Sequence, residues 1–481
     1  MLNIKDTVCK ALNEVLAEEG RRLESTDEGT RLSSLGLDSL TMARVIVTLD
    51  YECDVSPFTQ GGVDVTSVRT LGDLVQAYAG SSAADTVPPP PLEADATLAA
   101  DIVPAPTPAE GTEILLTGAT GFLGNHLLHE LLEQTDSTIT CLVRAHDDAA
   151  ALGRVAKSME RRGLALGSRA ARVRALAGDV SLPRFGLTEA AYAQLASRIG
   201  AVHHCAAWIN FLFPYATLKP SNIVGTEEAL RFACAVRAKP FHYISTLGVF
   251  CGPQHAALTV NESTPPGECG PLALGYEQTK WVAERLVLEA RARGLPVTVY
   301  RTPFLTGHAQ TGAWDATDLY RLMLRGCLEL GAAPDWNHEL AAVPVDSVSH
   351  GIIRLSRLEQ ARGEIFHMSH PAPITWREFV THMGAKGQPL PLVPVSEWIE
   401  RLHGALERRE PNALAAVRPL FEPDATDGKT ILERLAVDRM SILGCARTQA
   451  LLAALGVRYP AFTPELLSRY TERASTDLLA A

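Results

Sequence analysis

Tyr276 and Lys280 stand four residues apart in GYEQTKWVAERLV. On a helix those positions share a face, so a phenol and an ammonium are presented side by side. The ammonium favours the phenolate form, and the phenol can hand its proton to an oxygen that is gaining charge. A Tyr-x-x-x-Lys spacing arises by chance in many helices, and its weight here comes from its surroundings. Upstream, HYISTLGVF ends a strand on two hydroxyls, Ser245 and Thr246. Registering that strand on Val249-Phe250 favours Thr246 as the hydroxyl that hydrogen-bonds a carbonyl oxygen beside Tyr276. A hydroxyl that only caps the strand is the alternative.

The run Thr117-Gly118-Ala119-Thr120-Gly121-Phe122-Leu123-Gly124 follows an apolar strand, EILLTGATG, and opens an amphipathic helix, NHLLHELLEQ. Its glycines allow a tight turn and close backbone approach to a pyrophosphate, which then lies at the helix N-terminus. Gly118, Thr120, Gly121, Phe122, Leu123 and Gly124 are therefore candidate dinucleotide contacts. The residue that separates NAD from NADP lies about 20 positions further on, at the end of the second strand. Counting from Gly124 reaches Arg144 in CLVRA. An arginine pairs with a 2′-phosphate, where an acid would hold a 2′-hydroxyl. Asp147 and Asp148 fall past the strand end. NADPH is the expected cofactor, and a merely solvent-facing Arg144 is the alternative.

Several elements must position these groups. From Glu113 onward, EILLT, TITCLVRA, VRALAGDV, AVHHCAA, FHYISTLGVF and PVTVYR supply strands with helical stretches between several of them. That alternation implies an α/β fold with a Rossmann-type, doubly wound parallel sheet. Beyond about Gly307 the order breaks up, as in a smaller lid over the sheet's C-terminal edge. Residues 1–80 read instead as a four-helix bundle. Ile4, Val8, Leu12 and Val15 give its first helix one apolar face, a second runs from about Ser39 to Leu49, and a last begins near Thr70. Between the two regions, SSAADTVPPPPLEADATLAADIVPAPTPAEG carries prolines 88–91 and little to bury. Extended at ~3.1 Å per residue, about 25 such residues span roughly 80 Å. Leu98 and Ile102 are placed to dock on the following domain. The expected division is a bundle at 1–80, a linker at 81–95, a nucleotide-binding domain at 96–306 and mainly a substrate-binding lid at 307–481.

Apolar and charged fractions of 46% and 21% suit a soluble globular protein, and no apolar run reaches the length of a membrane span. The N-terminus mixes Asp6, Glu14, Glu18 and Glu19 with apolar residues, which suits an amphipathic helix and not a signal peptide. Nine cysteines are scattered, with no C-x-x-C pair and no Cys/His cluster of metal spacing. A reduced, cytoplasmic, monomeric protein without a metal is expected. The net charge of −11 argues against nucleic acid, and residues 1–80 hold 7 Lys+Arg against 13 Asp+Glu. So acidic a small domain is steered towards basic patches on protein partners.

Together, LLTGATGFLG, CLVRA with Arg154 ten positions on, GDVSLPRFGL, HHCAAWINFLFPY, SNIVGTEEAL, HYISTLGV and GYEQTKWVAE resemble the extended short-chain dehydrogenase/reductase family. Within it they resemble the thioester reductase domains that terminate nonribosomal peptide synthetases, polyketide synthases and carboxylic acid reductases. The resemblance covers about residues 95–480. It implies that Arg144 and Arg154 hold the 2′-phosphate, that Asp179 and Val180 lie beside the adenine, and that Ala206, Ala207 and Trp208 line the nicotinamide side. Asn222 would support the active-site helix, with Thr246, Tyr276 and Lys280 as the catalytic set. One difference stands out: Arg301-Thr302-Pro303 occupies a place where relatives often have Arg-Pro-Gly, in the loop bordering the nicotinamide and substrate entrance.

Leu35-Gly36-Leu37-Asp38-Ser39-Leu40 resembles the 4′-phosphopantetheine attachment site of acyl and peptidyl carrier proteins. A serine before a helix is commonly just an N-cap. Here the acidic helical domain, the linker and the reductase pattern favour modification of Ser39, whose phosphodiester would suit the positive end of the second helix. Leu37, where peptidyl carriers often have a second glycine, leans towards acyl or polyketide-type carriers.

The implied activity is NADPH-dependent release of an acyl or aminoacyl thioester from the chain's own pantetheine arm as an aldehyde, with further reduction to an alcohol left open. A phosphopantetheinyl transferase would modify Ser39, and an upstream synthase or an activating enzyme in trans would load the arm. A sugar-nucleotide epimerase or dehydratase shares the scaffold and the Tyr/Lys pair, but Arg144 and the acidic bundle oppose it. A non-catalytic carrier and docking module is opposed by the intact Thr246, Tyr276 and Lys280.

Overall fold

The periodic apolar residues of the N-terminus do form a helical face. α1 (Ile4–Ala17), α2 (Ser39–Cys53) and α3 (Leu71–Ala79) pack around Val8, Leu12, Ile46, Leu49, Leu71 and Leu74. α3 opens on a capping box in which Thr70 Oγ1 accepts from Asp73 N and Asp73 accepts from Thr70 N. The computed structural model describes residues 3–17, 22–35, 39–53, 55, 57–58, 68, 70–80, 91–251, 255, 258–267, 272, 274–316, 318–336, 339–381, 390–408, 410–423, 430 and 442–479. Among the described residues, this region has three α-helices and one 3-10 turn, Leu32–Leu35. The expected fourth helix lies largely outside the described residues, as do positions 36–38 of LGLDSL and 81–90 of the proline-rich stretch.

From Pro91 the chain is held by the α/β domain. A helical turn, Leu92–Asp95, is tied down where Tyr215 Oη donates to Asp95 at 2.5 Å. Leu98 and Ile102 are buried, and Arg293 donates to the carbonyls of Leu98, Ala99 and Ile102.

Seven strands then form one sheet: β1 (Glu113–Thr117), β2 (Ile139–Val143), β3 (Val173–Ala177), β4 (Ile199–His204), β5 (Phe241–Thr246), β6 (Val297–Thr302) and β7 (Ile365–His367). Their order is 3-2-1-4-5-6-7, with every neighbouring pair parallel. β2 and β6 are buried at every position, as strands covered on both faces must be. α4 (Phe122–Gln134) and α5 (Asp148–Arg161) cover one face through Leu127, Leu131, Val155 and Met159. α6 (Glu189–Arg198), α7 (Gly225–Cys234) and α8 (Gly275–Ala292) cover the other through Tyr192, Phe232, Trp281 and Leu286. The order reverses between β1 and β4, which opens the crevice at the strands' carboxyl ends where α/β sheets bind ligands.

A separate core of Trp314, Trp336, Trp376, Trp398, Phe421 and Tyr470 lies in the C-terminal region. Part of the chain after 307 packs with the sheet. α9 (Val345–Ser356) buries Val348, Ile352 and Ile353 in the sheet's core, and β7 pairs with β6, so residues 345–367 return to the nucleotide-binding domain. β7 has only three residues, too few to show a strand's periodicity. Among the described residues no helix is long and apolar enough to cross a membrane, and no His/Cys/Asp/Glu group is arranged to hold a metal ion.

Candidate active site

The glycine turn closes over the crevice between β1 and β4. Gly118 has φ +73°, and a Cβ there would meet Ala206 N and Cys205 C at 2.7 Å. A side chain at Gly124 would collide with the Gly118 carbonyl. Gly121 begins α4 without a side-chain cap, so the first-turn amides are left to whatever fills the turn. Asn125 Nδ2 donates to Ala119 O at 2.6 Å and pins the loop from behind. This cradle fits a pyrophosphate. Thr120 is half-buried on the turn, whereas Phe122 and Leu123 pack into the core beneath it, so they offer backbone amides and not side chains.

Arg144 is the first residue past β2 and is exposed. Arg154, on α5, donates to the Arg144 carbonyl, which brings the two arginines together at the strand end. Asp147 accepts from Ala150 N at 2.7 Å as the cap of α5, and Asp148 accepts from Ala177 N at 2.8 Å. Both carboxylates are thus engaged locally. Past β3, Asp179 accepts from the Ser181 amide at 2.9 Å, and Val180 packs against Gly225.

Ala206 N–H donates to Thr117 Oγ1 at 3.2 Å, joining the ends of β1 and β4. Ala207 and Trp208 follow, half-buried. Asn222 Oδ1 accepts from Trp208 N at 2.6 Å, while its Nδ2 donates to Trp208 O at 3.1 Å and to Thr279 Oγ1 at 3.0 Å. One amide therefore fastens the loop after β4 to the helix that carries Tyr276 and Lys280.

On that helix Tyr276 lies in the first turn, its ring edge against Phe211 at 5.9 Å between centroids. Burial pushes its phenol up, with Cys205 and Glu277 adding to the rise, so Tyr276 is held as an acid. Lys280 is brought down to about 8 by burial, with Glu284 and Cys205 acting the other way. Its ammonium donates to Tyr243 Oη at 2.7 Å and Ile244 O at 2.8 Å. Ser245 is buried and gives its proton to Glu284. Thr246 ends β5 half-buried and accepts from Gly248 N at 3.0 Å, which leaves its own proton to give. Thr246 Oγ1 and Glu277 Cγ both flank Gly248, within 3.3 and 3.6 Å of where its Cβ would stand, so the strand end abuts the start of α8.

Arg301 turns into the core. It is fully buried, donating to Glu284 Oε1 at 2.7 and 3.0 Å and to Thr264 O at 3.0 Å, while Thr302 donates to Ser245 O at 3.0 Å. The arginine anchors the core behind the site.

Phe213 and Leu218 are continuous with the apolar core of α1–α3, and Trp208 and Tyr276 pack on the same cluster. The N-terminal helices thus rest beside the start of α8. Ser39 opens α2, and its side chain lies outside what is described.

A family model described as male sterility protein matches residues 116–352. Over 294 residues, 61% of this chain, the sequence is 39% identical to one subunit of the linear gramicidin synthase of Brevibacillus parabrevis. The chain spans 6% of that relative's length. The crystal structure of the terminal R domain from the myxalamid PKS-NRPS biosynthetic pathway is 35% identical, with a TM-score of 0.73 over 81% of this chain and 97% of that one. This chain belongs to the thioester reductases of the extended short-chain dehydrogenase/reductase family. A thiolation-reductase di-domain from an archaeal non-ribosomal peptide synthetase shares the fold, at 20% identity and a TM-score of 0.63 over 100% of this reductase and 99% of that chain.

Three residues of the reductase's site carry no motif signal. Tyr243 reads as an ordinary inward residue of an apolar strand. Glu284, eight positions past Tyr276, reads as a polar residue of an amphipathic helix yet is fully buried. Glu277 is buried beside Tyr276, its carboxyl pushed up to about 7 by burial, and its Oε2 has no hydrogen-bond partner among the described residues.

Proposed function

We propose that this reductase uses NADPH to reduce an acyl or aminoacyl thioester held on a 4′-phosphopantetheine arm at Ser39, releasing an aldehyde. The observation that carries the reading is the sorting of groups at the end of β5. Ser245 is spent on Glu284, while Thr246 keeps a proton to give next to the helix of Tyr276 and Lys280.

The residues present fit the cofactor. The turn at Gly118, Gly121 and Gly124 would take the pyrophosphate, Arg144 and Arg154 the 2′-phosphate, and Asp179 and Val180 the adenine edge. Ala206, Ala207 and Trp208 would line the nicotinamide, with Lys280 on its ribose. Bound there, NADPH supplies a hydride to the thioester carbonyl carbon.

Thr246 donates a hydrogen bond to the carbonyl oxygen and orients it. Tyr276, kept protonated by burial, gives its proton to that oxygen as negative charge develops. The Lys280 ammonium lowers the cost of the phenolate left behind. The resulting hemithioacetal breaks its C–S bond, the hydroxyl proton leaves, the thiol departs with a proton and the aldehyde is released. No ester to a protein side chain is needed. A second round would give an alcohol.

The bundle at residues 1–80 acts in this reading as the carrier domain, a four-helix carrier bundle in its full form. Its packing beside Tyr276 and the proline-rich stretch favour intramolecular delivery at high effective concentration. A phosphopantetheinyl transferase would prime Ser39, an upstream synthase or activating enzyme in trans would load it, and the work would be done in the cytoplasm. The test is NADPH oxidation in the presence of a series of soluble acyl-pantetheine thioesters, with the aldehyde trapped as a hydrazone. Thioester-dependent oxidation with equimolar aldehyde is expected. Oxidation that never exceeds the thioester-free rate counts against the proposal.

A further inference from the structure

Lys280 is 4% exposed, and its ammonium has three N–H groups to place. One goes to Tyr243 Oη at 2.7 Å and one to Ile244 O at 2.8 Å, which leaves a single N–H. The same nitrogen stands 4.2 Å from the Tyr243 ring centroid. Both the hydroxyl and the π face of Tyr243 therefore favour the charged amine.

Tyr243 is itself enclosed, its ring stacked with those of His204 and Phe241 at 6.0 and 6.5 Å between centroids. Thr226 Oγ1 gives its own proton to Asn222 O at 2.7 Å and accepts from His204 Nε2 at 3.2 Å. That assigns the His204 proton to Nε2 and leaves Nδ1 to accept from Thr117 Oγ1 at 2.9 Å. Thr117 Oγ1 in turn accepts from Ala206 N–H at 3.2 Å. The hydroxyls of Thr117 and Thr226 thus each have one consistent assignment. Burial keeps Tyr243 a neutral phenol and pushes the His204 imidazole down to about 3, with the Lys280 charge adding to the fall. Among these groups Lys280 is the charged one, set beside a neutral phenol.

We propose that Tyr243 is the positioning residue of Lys280: its hydroxyl, on a ring stacked against His204, fixes the ammonium and leaves it one N–H for the active site. The consequence for turnover rests on the reductase reading, but the arrangement itself does not. Other groups face the ammonium too. Glu284 and Tyr276 lie on its own helix, with Cys205 and His204 at the end of β4, while Arg301 of β6 shares Glu284. All of these remain in a Tyr243→Phe variant, which removes only the hydroxyl acceptor. An acceptor lost from the charged form alone must lower the amine's pKa.

The test needs no turnover. The cofactor-free full chain is labelled with ε-13C-lysine, and the Lys280 resonance is assigned by its loss in Lys280→Met. Its pH titration in Tyr243→Phe should have a midpoint about one unit below the wild-type value. The other lysine resonances report that each variant is folded. A Lys280 midpoint that is the same in Tyr243→Phe and wild type overturns the proposal. Run alongside, thioester-dependent NADPH oxidation should lose its activity about one pH unit earlier in Tyr243→Phe, roughly a tenfold loss on the alkaline side. A wild type that titrates as described but turns over no thioester would refute the reductase reading and leave the role of Tyr243 standing.

Discussion

Ser245 Oγ donates to Glu284 Oε2 at 2.5 Å, so its proton is engaged while that of the neighbouring Thr246 is not. Thr246→Ala should lower kcat about tenfold, less than loss of the proton donor, with only a small change in stability. Ser245→Ala should change kcat less than threefold but cost about 1.5–3 kcal/mol, because it strips a charged acceptor in the core. Steady-state kinetics and urea unfolding of the two variants separate these effects. The opposite pattern would put Ser245 on the carbonyl.

A preference for NADPH over NADH should rest mainly on Arg144, with help from Arg154. A charge-assisted contact to phosphate is worth roughly 1.5–3 kcal/mol, on the order of 10- to 100-fold in affinity. Arg144→Ala should therefore weaken NADPH far more than NADH in a fluorescence titration. Equal losses would mean that Arg144 acts only on the structure of the strand end.

Incubation with a phosphopantetheinyl transferase and coenzyme A should add one phosphopantetheine mass to the wild type and none to Ser39→Ala. Ser39→Ala should also lose turnover of carrier-loaded substrate while binding NADPH normally. A mass gain that survives in Ser39→Ala moves the attachment point elsewhere.

The alkaline limb of kcat/KM should come from Lys280. Burial brings its pKa down to about 8, so the ammonium is present below that pH and lost as pH rises through it. Burial pushes the phenols of Tyr276 and Tyr243 the other way, so both stay protonated across the same range. Activity should thus fall with a midpoint near 8. The stability linkage has the opposite sense. An unfolded lysine keeps its proton to about 10.4, so from pH 8 upward this group makes folding more favourable. A profile that stays flat well past pH 9 would show that the charge on Lys280 is not used.

Spacing, read together with its surroundings, pointed to much of the candidate site. The glycine turn, Arg144, Thr246 and the Tyr276/Lys280 pair each sit at fixed offsets from strand or helix ends, and such offsets survive in a linear string. The rest depends on which buried side chains meet across the sheet. Tyr243 meets Lys280, and Glu284 meets Ser245 and Arg301, only because β5, β6 and α8 are neighbours in space. Arg301-Thr302-Pro303 read as a loop bordering the entrance, whereas Arg301 and Thr302 end β6 and Arg301 is buried against Glu284. β7 escaped notice because three residues carry no period, and α9 because nothing in its sequence says which domain its apolar face will cover.

The central claim is that Tyr276 delivers the proton to the thioester oxygen as hydride arrives. The most direct measurement is single-turnover aldehyde release from an acylated carrier by Tyr276→Phe, with NADPH titrated in parallel. A positioned general acid acts mostly in the transition state, so the rate should fall at least about 10²-fold while the NADPH dissociation constant barely moves. Lys280→Ala should by contrast damage both. Near-normal single-turnover rates in Tyr276→Phe would mean that the proton comes from elsewhere, and would contradict the account.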